Sequence, residues 1–268
     1  MNDEEKEEIR RMVRDSYGKI AQSNESGGCC SSSCCGKQVS SMVEQSPMQL
    51  SSRMGYSEQE LAKVPTGSDM GLGCGNPQVI AALKSGETVL DLGSGGGFDC
   101  FLATEQVGPT GKVIGVDMTS EMLSKARETA QKGGYTNIEF RLGEIENLPV
   151  ADSSIDVILS NCVINLSTDK TRVYKEAHRV LKAGGRLAIS DVVAIAQLPP
   201  EYKKDPSLYC GCITGAITIT ELEQILSEAG FQQIRITPQE ESRELIKEWA
   251  PGQGIENYVI SATIEAVR

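Results

Sequence analysis

Apolar residues at Ile9, Met12, Val13, Tyr17 and Ile20, with Ser16 among them, recur every three to four positions, and this spacing predicts an amphipathic helix over residues 3–21. The pattern then stops. From Gln22 to Gln45 the chain is rich in Ser and Gly, nearly devoid of large apolar side chains, and carries Cys29, Cys30, Cys34 and Cys35. Such a stretch buries too little apolar surface to offset its ordering entropy, so it reads as a mobile segment unless its thiols bind something. A regular alternation begins at Gly86. Short apolar runs at Thr88–Leu92, Lys112–Val116, Asn137–Leu142, Ile155–Ser160 and Arg186–Val193 predict five strands. Between them, helices are expected over Phe98–Val107, Ser120–Lys132 and Asp169–Leu181, the last two closed by Gly133-Gly134 and Gly184-Gly185.

Strands of this kind, separated by helices, indicate an α/β fold with a mostly parallel sheet covered on both faces. After Val193 the rhythm breaks. Residues 194–217 hold Pro199-Pro200, Pro206 and Cys210-Gly211-Cys212, and read as an irregular excursion. Thr220 is expected to cap a helix reaching Ala229, followed by strands over Phe231–Thr237 and Asn257–Val267 with a polar connection containing Trp249. The expected organisation is therefore an N-terminal helix with a Cys/Ser/Gly-rich segment (1–46), an α/β core (47–193), and an excursion plus C-terminal strands completing the sheet (194–268), the final strand antiparallel.

Composition narrows the function. A formal net charge of -11 disfavours nucleic acid and anionic membrane as partners. No run approaches the ~18 consecutive apolar residues of a membrane span, and the charged N-terminus does not resemble a signal sequence. Both features point to the cytoplasm. There, nine cysteines are not expected to form a disulfide framework and suit soft-ligand or redox chemistry better.

The stretch from Val89 to Gly97 places a glycine turn directly after one strand and before a helix. Gly93 and Gly95 let the backbone approach a ligand, Ser94 adds a hydroxyl, and the helix N-terminus offers amide donors. Asp91 makes the strand end acidic. Asp117, closing the next strand, is placed to accept both hydroxyls of a ribose. A nicotinamide-binding domain shares this layout. The turn lacks GxGxxG spacing, however, while Met118 offers an apolar surface for adenine and Glu144-Ile145 offers an acid and an amide for its edge. With Asn161 at the end of the fourth strand, these residues form the expected cofactor set. Val-Leu-Asp-Leu-Gly-Ser-Gly with Val-Asp-Met downstream resembles the class I S-adenosylmethionine methyltransferases, which implies their Rossmann-like fold and S-adenosyl-L-methionine as cofactor.

Cys162 follows the fourth strand, Cys74 precedes the first, and Cys212 lies in the excursion. Three thiols from three segments could converge on a trigonal sulfur site; taken singly, each could be a small buried hydrophobe, and Cys100 is read that way. Around them, Gly71–Pro77, Ser160–Leu166, Arg179–Arg186 and Gly211–Ala216 resemble the arsenite S-adenosylmethionine methyltransferase family, and the similarity covers roughly residues 47–268. The resemblance implies that Cys74, Cys162 and Cys212 hold trivalent arsenic. It also implies that an N-terminal cysteine, here Cys35 or its neighbour Cys34, joins a disulfide relay, and that a thiol reductant, glutathione or thioredoxin, restores the thiols. Arsenite or its thiol conjugates would be the acceptor, and the role arsenic detoxification. Arsenic bound to three sulfurs keeps a lone pair, so no general base is needed, and His178, the one histidine, reads as structural. Two other readings stay open at this point: methylation of a small organic acceptor, and a thiol-based metal-binding protein with zinc at Cys29, Cys30, Cys34 and Cys35.

Overall fold

The computed structural model describes residues 2–22, 46–202 and 205–268. Cys29, Cys30, Cys34 and Cys35 lie outside the described residues, and with them the relay cysteine and the zinc reading. The first periodic segment forms α1 (Asp3–Gln22), which buries Val13. Three short helices follow that periodicity had not assigned: α2 (Pro47–Arg53), α3 (Glu58–Lys63) and α4 (Pro77–Ala81). They are too brief to show an apolar stripe. Their signal lies at their starts, where Ser46 with Gln49 and Ser57 with Glu60 form reciprocal capping boxes and Asn76 caps α4.

The core alternates as expected: β1 (Thr88–Leu92), α5 (Phe98–Val107), β2 (Lys112–Asp117), α6 (Ser120–Gly133), β3 (Ile138–Leu142), β4 (Ile155–Asn161), α7 (Lys170–Val180) and β5 (Leu181–Ala194). The remainder comprises α8 (Pro206–Cys210), α9 (Ile219–Glu228), β6 (Gln232–Pro238), α10 (Ser242–Trp249) and β7 (Val259–Val267). Several details differ from the expectation: β5 begins at Leu181, so Gly184-Gly185 lie within the strand instead of closing α7, and α8 forms inside the excursion. Thr218, not Thr220, caps α9, because its hydroxyl accepts the Glu221 N–H while the Glu221 carboxylate reaches back to the Thr218 N–H. The polar connection around Trp249 is helical, and α10 turns Leu245 and Ile246 into the core.

The strands form one sheet in the order β3-β2-β1-β4-β5-β7-β6, and β7 runs antiparallel to both neighbours. The sheet is thus mostly parallel with an antiparallel final strand, as expected. Side chains alternate between its two faces. Leu90, Leu92, Ile114, Val116 and Ile158 pack towards α7 and α9, whereas Val89, Val113, Val157 and Leu159 pack towards α5 and α6. Each fully buried aliphatic side chain contributes roughly 1.5–3 kcal/mol, which is why these strands read as nearly unbroken apolar runs. Connections leave β1 and β4 on opposite sides of the sheet, so a crevice opens beyond their carboxyl ends, where ligands of such sheets bind. No helix among the described residues is long and apolar enough to cross a membrane.

Candidate active site

That crevice is a cavity with about 1160 Å³ of empty space, open solvent at its mouth included. Its floor is the turn after β1. Gly93 has φ 69°, and a Cβ there would meet Val163 Cγ2 at 2.3 Å, so both conformation and space demand glycine. The Gly93 and Ser94 amides donate to the Val116 carbonyl at 2.8 and 3.0 Å, pinning the turn to β2. Asp117 lies opposite, accepting the Gly95 N–H at 2.9 Å and the Thr119 N–H at 2.8 Å. Met118 and Ile145 add apolar walls. Ser94 belongs to the cavity lining, and its hydroxyl is buried beside Gly115 with no hydrogen-bond partner among the described residues.

Asp91 and Asp99, both buried, and the half-buried Asp117 crowd one side of this space. Burial, then the neighbouring Asp99, push Asp91 well above the ordinary carboxylate range; the Cys100 thiol donates to it at 3.2 Å. Burial also raises Asp99, against hydrogen bonds from Gln78, Tyr56 and Asn161. Asp117 is raised by burial as well, against the amides of Thr119 and Gly95. Crowded anions in a poorly solvated pocket favour a cationic ligand.

Glu144 does not line the cavity. Its carboxylate faces outward, 3.9 Å from Arg10 Nε and 3.8 Å from Arg14 NH2 on α1. Glu146, two residues on, lines the cavity, is buried, and accepts the Ser167 hydroxyl at 2.5 Å. The sequence offered both acids in one loop, and no periodicity in a loop tells which turns inward. Helix α1 roofs the cavity with Arg10, Val13 and Tyr17, and the Tyr17 hydroxyl donates to the Cys210 carbonyl at 3.1 Å. His178 packs edge-on against Phe231 at 5.3 Å between ring centroids and is not part of the lining.

On the cavity wall the thiol of Cys162 has those of Cys74 and Cys212 as neighbours, the three residues being 7%, 3% and 2% exposed; the ligand atoms within 4.8 Å of one another are those of Cys74, Cys162 and Asp191, with Cys212 outside that set. Each thiol is delivered by a different element. Cys162 follows β4 with φ 56°, its N–H bonded to the Ser190 carbonyl at 2.8 Å. Cys212 follows α8 with φ 63°, and its thiol donates to the Cys162 carbonyl at 2.8 Å. Left-handed backbone is rare outside glycine and costs roughly 1–3 kcal/mol, a burden that clusters at functional sites. Cys74 is held between two glycines by close packing: a Cβ on Gly73 would meet Asn161 Nδ2 at 2.7 Å, and one on Gly75 would meet Ser190 Oγ at 2.1 Å. Hydrogen bonds to Cys212 and Cys74, together with burial, raise the Cys162 thiol well above its ordinary range. Cys212 is raised too: the hydrogen bond from Cys162 favours its thiolate, but burial and the nearby Asp191 outweigh it. Tyr56, Asp99 and Asp191 were not singled out from sequence; each is an isolated polar residue whose buried partners come from distant segments.

Residues 83–230 match a family model described as a methyltransferase domain. The chain is 49% identical over 276 residues to the arsenite methyltransferase of Halobacterium salinarum, covering 98% of this chain and 68% of that protein. It is 38% identical over 238 residues to the arsenite methyltransferase of Aquipseudomonas alcaligenes, covering 85% and 63%. The crystal structure of an arsenic(III) S-adenosylmethionine methyltransferase from Chlamydomonas reinhardtii superposes with a TM-score of 0.61 at 31% identity, over 84% of this chain and 75% of that one.

Proposed function

This chain belongs to the arsenite methyltransferase family, and on that premise we propose that it moves the methyl group of S-adenosylmethionine onto trivalent arsenic bound by Cys74, Cys162 and Cys212. One observation supports the reading: the buried thiol of Cys162, on the wall of a carboxylate-lined cavity, has the buried thiols of Cys74 and Cys212 from two other segments as its neighbours.

The cavity residues fit the methyl donor. The Gly93–Gly95 backbone suits its amino-acid end, and Asp117 its ribose. Met118 and Ile145 would flank adenine, with Glu146 in place of Glu144 at its edge. Bound there, S-adenosylmethionine supplies an electrophilic methyl group on a cationic sulfonium. Asp91, Asp99 and Asp117 match that positive charge. Asn161 also lines the cavity, but its amide is taken up by Tyr56, Gly75, Asp99 and the Cys74 N–H, so its part is to position the Cys74 loop.

Thiophilic arsenite suits the three thiols. Replacing three arsenic–oxygen bonds by three arsenic–sulfur bonds consumes three thiol protons and releases three waters. Thiols kept protonated by burial are therefore the right form, and no base is required. Arsenic retains its lone pair, and holding it in line with the methyl group is the main catalytic task. Return of methylated arsenic to the trivalent state takes two electrons, which we assign to a thiol reductant such as glutathione or thioredoxin, with Cys35 or Cys34 as the N-terminal relay partner. The reducing cytoplasm suits this chemistry.

The test is Cys162→Ser. Arsenic bound per chain, measured by elemental analysis, and methyl transfer should both collapse while S-adenosylmethionine binding stays within about threefold. An enzyme for an organic acceptor would keep most of its activity.

A further inference from the structure

One buried carboxylate lies beside the thiols. Asp191 lies in β5, 3% exposed, and one of its carboxylate oxygens is within 4.8 Å of the sulfur atoms of both Cys74 and Cys162. Four donors fix it. Oδ2 accepts the Ile164 and Asn165 amides at 3.0 and 3.3 Å, and Oδ1 accepts the Asn165 side chain at 2.9 Å and the Val192 amide at 2.8 Å. A carboxylate has about four lone-pair directions, and all are used. It is therefore poorly placed to ligate a metal ion or arsenic, and what it offers the thiols is a fixed negative charge.

The four donated hydrogen bonds favour the ionised carboxylate. Burial raises Asp191 to about 6, opposed by the Val192 amide, the Lys170 ammonium and the amides of Asn165 and Ile164. The groups that feel it are Lys170, Tyr174 and Cys212. Lys170 itself is shared among Asp191, Cys212 and Glu146, one cation between two carboxylates.

The reaction calls for such a charge on its product side. Arsenic on three neutral thiol-derived ligands carries no net charge. During transfer its lone pair forms the arsenic–carbon bond, the sulfur–carbon bond breaks with its pair left on sulfur, and no proton moves. Positive charge accordingly passes from sulfur to arsenic. We propose that Asp191 is the counter-charge for the cationic arsenic formed by this transfer, resting on the reading of arsenic held by three thiols given above. A carboxylate fixed by four hydrogen bonds need not reorganise as the charge arrives, which is the condition under which such stabilisation is most effective.

Asp191→Asn tests this against the wild type in three measurements on the same preparations: arsenic bound per chain, thiolate ultraviolet absorbance against pH, and single-turnover transfer of labelled methyl group per arsenic-loaded chain. Arsenic capture should stay within about threefold. Thiolates should appear at lower pH, because the anion that opposes them is gone. Transfer should slow by roughly 10- to 100-fold, the range found when one preorganised electrostatic partner is removed. An unchanged transfer rate at full loading overturns the proposal. So does loss of arsenic capture or an unmoved thiol titration, either of which makes Asp191 only a brace for the turn after β4. A wild type that captures arsenite yet makes no methylated arsenic overturns the underlying reading instead, and that result appears before any variant is compared.

Discussion

The side-chain amide of Asn161 holds Cys74 in place: its Oδ1 accepts the Cys74 N–H at 3.0 Å, and its Nδ2 donates to the Gly75 carbonyl at 2.8 Å. The same Nδ2 meets the Tyr56 hydroxyl at 3.0 Å and Asp99 at 3.3 Å. One residue at the end of β4 thus joins the arm carrying a thiol to the carboxylate network under the cofactor cavity. Cys162 is its neighbour in sequence, so β4 positions one thiol directly and a second through Asn161.

Asn161→Ala should therefore weaken arsenite capture by roughly tenfold or more and lower stability by about 1–3 kcal/mol, the cost of leaving buried partners unpaired. Denaturant unfolding and arsenite titration read the two effects separately. Loss of cofactor affinity with unaltered arsenite binding would return Asn161 to a direct cofactor role.

Gly93→Ala should abolish measurable S-adenosylmethionine binding, since the new methyl group would overlap Val163 and strain a backbone at φ 69°. Arsenite capture by the thiols should survive, because the sulfur atoms come from other segments. Equilibrium dialysis with both ligands checks this, and an affinity within threefold of wild type would mean that the turn does not approach the donor.

The left-handed conformation of Cys162 makes a prediction about stability alone. With φ 56°, Cys162→Gly should be more stable than Cys162→Ala by about 1 kcal/mol, because glycine removes the strain that alanine keeps. Matched urea titrations decide it. An alanine variant as stable as the glycine variant would mean that the backbone relaxes once the thiol is gone.

How much of this was legible beforehand divides along physical lines. The strands β1, β2, β4 and β5 stood out because burial on both faces demands continuous apolar runs. The helices α2 and α3 did not, since six or seven residues carry no period, although their capping boxes were there to read. Cys74, Cys162 and Cys212 were nominated by their places around the strand ends and given a role by resemblance, but the distances between them depend on chain crossings that no local pattern encodes. Asp191 and Glu146 illustrate the remainder: a carboxylate's role was set by which way one strand residue or one loop residue turned, and by partners tens of positions away.

The carboxylates Asp91, Asp99 and Asp117 set a pH dependence. Burial raises all three above their unfolded values near 4. In that window the folded protein holds more protons than the unfolded chain, so stability falls as pH climbs through it. Ligand-free protein should resist urea better near pH 5 than near pH 7.5. Further acidification should reverse the trend: Glu139, held at about 2 by Arg141 and Lys112, contributes stability that is lost as pH falls below its unfolded value. A cationic ligand favours the ionised carboxylates, so S-adenosylmethionine binding near pH 5 should release protons, and S-adenosylhomocysteine, lacking the sulfonium charge, should release fewer. Calorimetry in two buffers of different ionisation heat measures the difference; equal release for both ligands would rule out the carboxylates as partners of that charge.

The central claim is that arsenic on three thiols accepts a methyl group from S-adenosylmethionine. The most direct measurement is to incubate the reduced protein with arsenite, excess thiol and methyl-labelled S-adenosylmethionine, then separate and quantify the arsenic species. The account predicts label in methylated arsenic, S-adenosylhomocysteine formed alongside it, and loss of both with Cys162→Ser. Arsenite recovered unmethylated under full reduction, with the cofactor intact, would contradict it.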